Sequence, residues 1–387
     1  MSPVERPCGM TEGVPGPGGR PTVAVIDRDA LRHNYRELRR LLEPGTAMMA
    51  VVKADAYGHG DVEVSRVLEE EGCEFFGVAL CEEGVRLREG GVRAPIVVLA
   101  GVYADELDAL FDYDLTPVVF DLRMVRRIDA AAARRGVRRK VHVKIDSGMG
   151  RLGLMPGEVA SFFEALGGCS AVELEGVLSH LAEAESRDGA YTRAQLSVFL
   201  EAVETVKAAG CDPGLLHIAN SAAIVASPAS RLDLVRPGLM LYGAYPGEDF
   251  RGKVALRPAM ELRSSVLQVK RIARGSPVGY GRTFTAVRDT TVAVIPIGYG
   301  DGLLRSLSGR GEVIVRGRRA PIVGLVCMDL TMVDVTAVEG VAPGDEVVII
   351  GSRAGESVTV EEVARRAGTI PYEVLCSISG RVPRLFV

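Results

Sequence analysis

Eight short apolar runs recur between residues 48 and 237, and most of the segments between them are long enough to be helices. No other feature of the sequence constrains the fold as strongly. The runs fall at 48–53, 75–80, 95–100, 116–120, 140–146, 173–180, 215–221 and 232–237, separated by amphipathic stretches such as 61–71, 105–112, 122–135 and 190–209. Parallel strands need long crossovers, usually helical, and eight such units close a TIM barrel. After about residue 255 the texture changes. Strand-like runs at 261–272, 291–297, 312–316, 320–326, 331–335 and 345–350 follow one another across glycine turns, with one helical segment at 360–367. The predicted fold class is α/β: an N-terminal (β/α)8 barrel over 22–255 and a C-terminal, mainly antiparallel β domain over 256–387. Residues 1–21, rich in Gly and Pro, read as a disordered tail. The barrel segment opens on a strand-like Val-Ala-Val-Ile after Thr22, then a helical pattern of Leu31, Tyr35, Leu38 and Leu41 with Asp27 and Asp29 as candidate caps.

Charge and cysteine content exclude several function classes. The formal net charge is −4 with no long basic run, so there is no electrostatic footprint for nucleic acid or an acidic membrane surface. Seven cysteines without a C-x-x-C pair point to reduced thiols in a cytoplasmic protein, with no disulfide framework and no metal site. No apolar run approaches the length needed to span a bilayer, and the N-terminus lacks the apolar core of a signal peptide.

A barrel places its chemistry at the C-terminal ends of its strands, and the polar oddities of the first 250 residues fall there. Lys53 ends the first run, in Met48-Met49-Ala50-Val51-Val52-Lys53-Ala54-Asp55-Ala56-Tyr57-Gly58-His59-Gly60. Burying an ammonium is costly unless the amine has a task, and one such task is forming a Schiff base, for which a lowered pKa helps. Arg151 lies in the loop after the fifth run, Asp146-Ser147-Gly148-Met149-Gly150-Arg151-Leu152-Gly153. That loop contains a G-x-G-x-x-G, a feature of dinucleotide sites, but it follows a fifth strand and carries an arginine better suited to a carboxylate or phenolate. Lys144, on the same strand face as His142, points into the barrel and needs a partner there. His180 ends the sixth run, Ser221 follows the seventh, and Arg236-Pro237-Gly238-Leu239 follows the eighth. A serine hydroxyl and the backbone N–H groups around Gly238 are suitable phosphate donors, because glycine allows close backbone approach.

Taken together, these strings resemble the pyridoxal-phosphate-dependent alanine racemases, with at least seven spaced motifs in order from about Thr22 to the C-terminus. The resemblance implies pyridoxal 5'-phosphate as cofactor, carried by Lys53 and contacted by Tyr57, His180, Ser221, Arg236, Gly238, Leu239 and Tyr372. Arg236 would face the pyridine nitrogen; a guanidinium has no acceptor, so the ring nitrogen would stay unprotonated. In Gly279-Tyr280-Gly281, Tyr280 matches the family's second base, so Lys53 and Tyr280 would exchange the Cα proton on opposite faces of the substrate. Neighbouring cations, His180 and Arg151 or Arg236, would favour the Tyr280 phenolate. Arg151, Tyr299 and Met328 would line the substrate carboxylate site. Some members carry a carbamylated lysine near the position of Lys144; the alternative is an ordinary salt bridge there. The implied enzyme is a cytoplasmic homodimer in which the β domain completes the partner's active site, making D-alanine for peptidoglycan. Racemases of serine or longer amino acids, a barrel-type amino-acid decarboxylase, a non-catalytic pyridoxal-phosphate carrier and a nicotinamide-linked oxidoreductase are the alternatives.

Overall fold

The computed structural model describes residues 19–387; residues 1–18 of the expected tail lie outside the described residues. The chain divides into two compact units. One is Asp27–Ala259, and the other combines the segment ending at Ile26 with Met260–Val387.

Strand β1 (Val23–Ile26) belongs to the second unit. It pairs antiparallel with β10 (Met260–Ser265) and in parallel with Arg384–Phe386. The sheet continues from β10 through Glu346–Arg353 and Glu312–Val315 to Arg318–Pro321. A separate antiparallel sheet joins Gln268–Ile272, Thr290–Ile295 and Thr331–Asp334. The helical segment near 360 is present as Val360–Ala367, and a second helix, Pro371–Ser377, starts with proline at its first position, where a missing N–H costs nothing. The unit is mainly antiparallel, as the sequence predicts.

The first unit begins with helix α1 (Arg28–Arg39). Asp27 accepts from Ala30 N at 2.9 Å as its N-cap, while Leu31, Tyr35 and Leu38 form its buried stripe. Eight parallel strands follow: β2 (Ala47–Val51), β3 (Phe75–Val78), β4 (Ile96–Val98), β5 (Leu115–Val119), β6 (Arg139–Lys144), β7 (Val172–Leu178), β8 (Leu215–His217) and β9 (Leu234–Val235). Their order, β8-β7-β6-β5-β4-β3-β2-β9, is that of a barrel unrolled at one seam. The seam between β8 and β9 is held by Asp233 N to Leu216 O at 3.1 Å, Arg236 N to Ala219 O at 3.0 Å, and a parallel bridge between Asn220 and Arg236. All eight expected strands are present, and the nearly closed barrel agrees with the predicted class.

Two textures divide the barrel interior. Met49, Val97, Val118, Leu178 and Leu234 form one apolar cluster. Along β6 the alternation sends Val141 and Val143 to one face and Lys140, His142 and Lys144 to the other. His142, Lys144, His217 and Arg236 are all buried, so a polar column runs through this part of the unit.

Candidate active site

The segment after β2 has an unusual backbone. Ala54, Asp55, Ala56 and Tyr57 all sit at φ between 52° and 55°, one turn of left-handed helix directly after Lys53. For L-residues this conformation costs about 1–2 kcal/mol each, so the surroundings must over-determine it. Glu83 accepts from Ala54 N at 2.7 Å with one oxygen and from Ala79 N and Leu80 N with the other. Asp55 accepts from Asp61 N at 3.0 Å. His59 is buried, its Nδ1 lying 3.0 Å from both the Ala56 and Tyr57 carbonyls and its ring stacked on Tyr242. The Tyr242 hydroxyl donates to Val51 O at 2.9 Å, pinning the strand end two residues before Lys53.

The glycine-rich loop after β6 is wound around one carboxylate. Asp146 Oδ1 accepts from Gly148 N, Met149 N and Gly150 N at 2.9, 2.7 and 3.1 Å, and Oδ2 accepts from Arg151 N at 2.9 Å. Burial alone would raise the Asp146 pKa, but these four N–H groups outweigh it and hold the carboxyl below its ordinary value. The donors a pyrophosphate would need are thus already committed, which removes the structural basis of a dinucleotide cradle. Gly153 is required at its position: φ is +131°, and a β-carbon would stand 2.5 Å from Asp146 N. From the helix Ala190–Ala208, the Tyr191 hydroxyl donates to Gly148 O at 2.7 Å. Buried Gln195 bonds the backbone on both sides of the sixth strand's end, donating to His180 O at 3.1 Å and accepting from Ala182 N at 2.8 Å.

Arg236 is buried without a carboxylate among its hydrogen-bond partners. Nη1 donates to His217 Nδ1 at 2.9 Å; Nη2 donates to Ser179 O at 2.6 Å and Ile218 O at 3.2 Å, and lies 3.3 Å from His180 Nδ1. Burial pulls its pKa down to about 9, which leaves it charged at neutral pH. Burial also lowers Lys144, to about 8, with Arg236, Arg151 and Lys53 adding to the effect and Asp146 opposing it. His180 is pushed well below its ordinary value by burial and then by Arg236, Arg151, Lys144 and Lys53. The expectation that His180 adds a positive charge is therefore corrected: among so many cations its imidazole is neutral at pH 7. Lys53, Arg151 and Arg236 thus lie within electrostatic reach of both Lys144 and His180, with Asp146 as the opposing charge at Lys144.

Beside it lies a small-residue cradle. Ser221 Oγ accepts from Gly238 N at 2.8 Å and Met240 N at 3.4 Å. A β-carbon on Gly238 would stand 2.7 Å from the Tyr57 hydroxyl, so glycine is what lets this phenol reach the loop. Tyr57, Ser221, Gly238 and buried Leu239 therefore meet at one place. Ser221 Oγ accepts from the loop and keeps its own proton to donate, and with the Tyr57 hydroxyl it suits a phosphate; the neighbouring cations suit an anionic ring substituent and a carboxylate, so the residues present fit pyridoxal phosphate.

Tyr280, Tyr299, Met328 and Tyr372 belong to the second unit. Tyr299 and Met328 come together because Tyr299 N donates to Cys327 O at 3.0 Å and Gly300 N to Met328 O at 2.9 Å. Buried Asp301 holds this turn by accepting from Gly298 N at 3.1 Å, and it pairs with Arg20 at 2.7 Å and Arg381 at 3.3 Å. The helix carrying Tyr372 is tied to it by Ser377 Oγ donating to Gly302 O at 2.8 Å. Tyr280 follows Val278, which packs with Val292, Val294, Val323 and Met332. Tyr280, Tyr299 and Met328 are 72, 42 and 53% exposed.

Several residues of the site escaped the sequence reading: Glu83, Gln195, Tyr242, Glu175, and the partnership of His142 with His217. The shared face of His142 and Lys144 was a legible signal for one of them. Among the described residues no group of three or more His, Cys, Asp or Glu could hold a metal ion, and no helix is long and apolar enough to cross a membrane.

Known proteins resemble this chain along almost its whole length. The profile of the alanine racemase N-terminal domain matches residues 26–246, and that of the C-terminal domain matches residues 259–386. The alanine racemase of Geobacter sulfurreducens is 48% identical over 372 residues, spanning 95% of this chain and 97% of its own. A crystal structure of the Bacillus anthracis alanine racemase with bound L-Ala-P superposes with a TM-score of 0.90 at 35% identity, covering 96% of each chain. That of the Bartonella henselae alanine racemase, with covalently bound pyridoxal phosphate, gives 0.86 at 31% identity, covering 95% of this chain and 99% of that one.

Proposed function

The chain belongs to the alanine racemase family, and from that premise we propose that it interconverts L-alanine and D-alanine with pyridoxal 5'-phosphate as cofactor. The observation that carries this reading is the cationic cluster of Lys53, Lys144, Arg151 and Arg236 beside the Tyr57–Ser221–Gly238 cradle. Bound pyridoxal phosphate supplies a carbonyl for an amine and a ring that accepts electron density as the Cα–H bond breaks. Tyr57, Ser221 and the backbone at Gly238 and Leu239 bind its phosphate, with Tyr372 as a further contact. Arg236 and His180 orient the ring.

Lys53 is the covalent anchor and one base. What supports it is its place just past the end of a barrel strand, followed by a strained left-handed turn. Its Nζ moves the Cα proton on one face. The phenol oxygen of Tyr280 does so on the other, which suits a reaction whose two directions differ only in which base starts unprotonated. The positive charges of Arg151 and Arg236 favour the phenolate. Arg151, with Tyr299 and Met328, orients the substrate carboxylate, and the tyrosines leave room for a methyl group. Lys144 has an amine basicity low enough to be partly neutral at pH 8, and in that form its nitrogen can bond carbon dioxide and release one N–H proton to solvent, leaving a carbamate anion for Arg151 to hold.

Tyr280 and Met328 are lent by a second copy of the chain, so the active form is a homodimer; their exposure in the single chain supports this. Six cysteines among the described residues are free thiols, which suits the cytoplasm, and the D-alanine made there serves peptidoglycan synthesis. Incubating the protein with L-alanine and added pyridoxal phosphate tests the reading. The expected end point is equal amounts of both enantiomers, since they have equal free energy in water; alanine left unchanged overturns it.

A further inference from the structure

We infer that Glu175 and His142 are positioning residues that act through His217 to orient the guanidinium of Arg236. This rests on the reading of Arg236 as the residue beside the cofactor ring. Four side chains are involved besides Arg236. Lys140 Nζ donates to Glu175 Oε1 at 2.7 Å, His142 Nε2 lies 3.0 Å from Glu175 Oε2, His142 Nδ1 lies 2.8 Å from His217 Nε2, and Arg236 Nη1 donates to His217 Nδ1 at 2.9 Å.

The protons on this chain have one consistent arrangement. A guanidinium only donates, so His217 Nδ1 is bare and its proton is on Nε2. That N–H points at His142 Nδ1, which must then accept. His142 is therefore also protonated on Nε2 alone, and it donates to Glu175. Any other placement sets two N–H groups, or two lone pairs, face to face. Burial, and then the charge of Arg236, keeps His217 well below its ordinary pKa, in agreement with a neutral ring. Burial raises Glu175, but the hydrogen bonds from His142 and Lys140 outweigh it and keep the carboxylate ionised.

The backbone is adapted to this chain at two points. The pairing of β6 with β7 shifts register between Val141 and His142: Val141 faces Leu174 while His142 faces Gly176, so Glu175 is the extra residue of a bulge. At Gly176 a β-carbon would stand 2.7 Å from His142 Nδ1, so glycine makes room for the ring. The two imidazoles meet edge to face, 4.9 Å apart at 87°. Stability alone does not call for such a column. Buried ionic networks are commonly matched or bettered by apolar packing, and the same barrel has an apolar cluster built from five other side chains. What the column supplies is direction, because the carboxylate at its far end selects the same tautomer of each ring that the guanidinium requires at the near end. It thereby presents Arg236 with a lone pair at a fixed place.

Imidazole 15N–1H correlation spectra of the full-length protein, with histidines assigned by single substitution, test this. The expected wild-type result is that His142 and His217 are each protonated on Nε2 only. Glu175→Leu, which leaves Arg236 alone to select the tautomers, should populate a second tautomer in both rings and lower kcat for alanine by about tenfold or more, with little change in KM. Glu175→Gln, whose amide oxygen still accepts from His142, should restore both the spectrum and kcat. If Glu175→Leu does not fold, Glu175→Met takes its place. A wild-type His217 protonated on Nδ1, or a Leu or Met variant with unchanged tautomers and kcat, overturns the inference. A wild type that makes no D-alanine but has both rings on Nε2 instead fails the racemase reading and leaves the proton arrangement standing.

Discussion

The phenol oxygen of Tyr57 stands 2.7 Å from where a β-carbon on Gly238 would lie, so the glycine after β9 leaves the room that the tyrosine of the lysine loop fills. The contact joins two segments 181 residues apart (238 − 57) at the proposed phosphate cradle.

Gly238→Ala should therefore displace the Tyr57 ring, which is also held near Tyr242 at 5.0 Å between centroids. Overpacking of this kind costs about 1–3 kcal/mol. The expected outcome is a lower unfolding midpoint together with weaker retention of pyridoxal phosphate on dialysis. Retention equal to wild type would remove Gly238 from the cradle.

Lys53→Ala is expected to abolish covalent attachment of the cofactor. Borohydride reduction of the loaded wild type, then peptide mass mapping, should find the adduct on the peptide containing Lys53, with none in the variant. An adduct on any other lysine would reassign the anchor.

Tyr280→Phe should lower the racemisation rate by about two to four orders of magnitude, the scale of an acid–base group. Its Cα-deuterium isotope effects should also become unequal in the two directions, because one base would then be lost and the other retained. A variant turning over like wild type would falsify the two-base assignment.

The Lys144 amine lies at about 8 in the folded chain against an ordinary value of 10.5. Between those values the unfolded chain binds more protons, so this group makes stability rise with pH from about 8 upward. With carbon dioxide excluded, urea unfolding of the wild type relative to Lys144→Met should show a gain on going from pH 7.5 to 9.5. No difference in slope between the two proteins would mean that Lys144 is not the amine destabilised by Arg236, Arg151 and Lys53.

Much of the architecture was legible in the sequence because it is local. Most of the eight parallel strands are short apolar runs, with β6 the polar exception, and the groups beyond them, Lys53, Arg151, His180, Ser221 and Arg236, follow strand ends that can be read one at a time. The placement of β1 was not local. Val23–Ile26 stands immediately before the barrel helix α1, yet it pairs with β10 and with Arg384–Phe386, more than 200 residues away in sequence. A four-residue apolar strand carries no record of which edge it will join.

Which side chains are available is written in the chain, and their alternation along β6 puts Lys140, His142 and Lys144 on one face. What those side chains meet follows from the folded barrel. The bulge at Glu175, the space above Gly176 and the seam that brings Arg236 beside Ala219 depend on register between strands, and register is set by packing across the whole barrel. The charge state of the site arose in the same way. A histidine at a strand end has no fixed protonation state until burial and four nearby cations make the imidazolium too costly, as they do at His180.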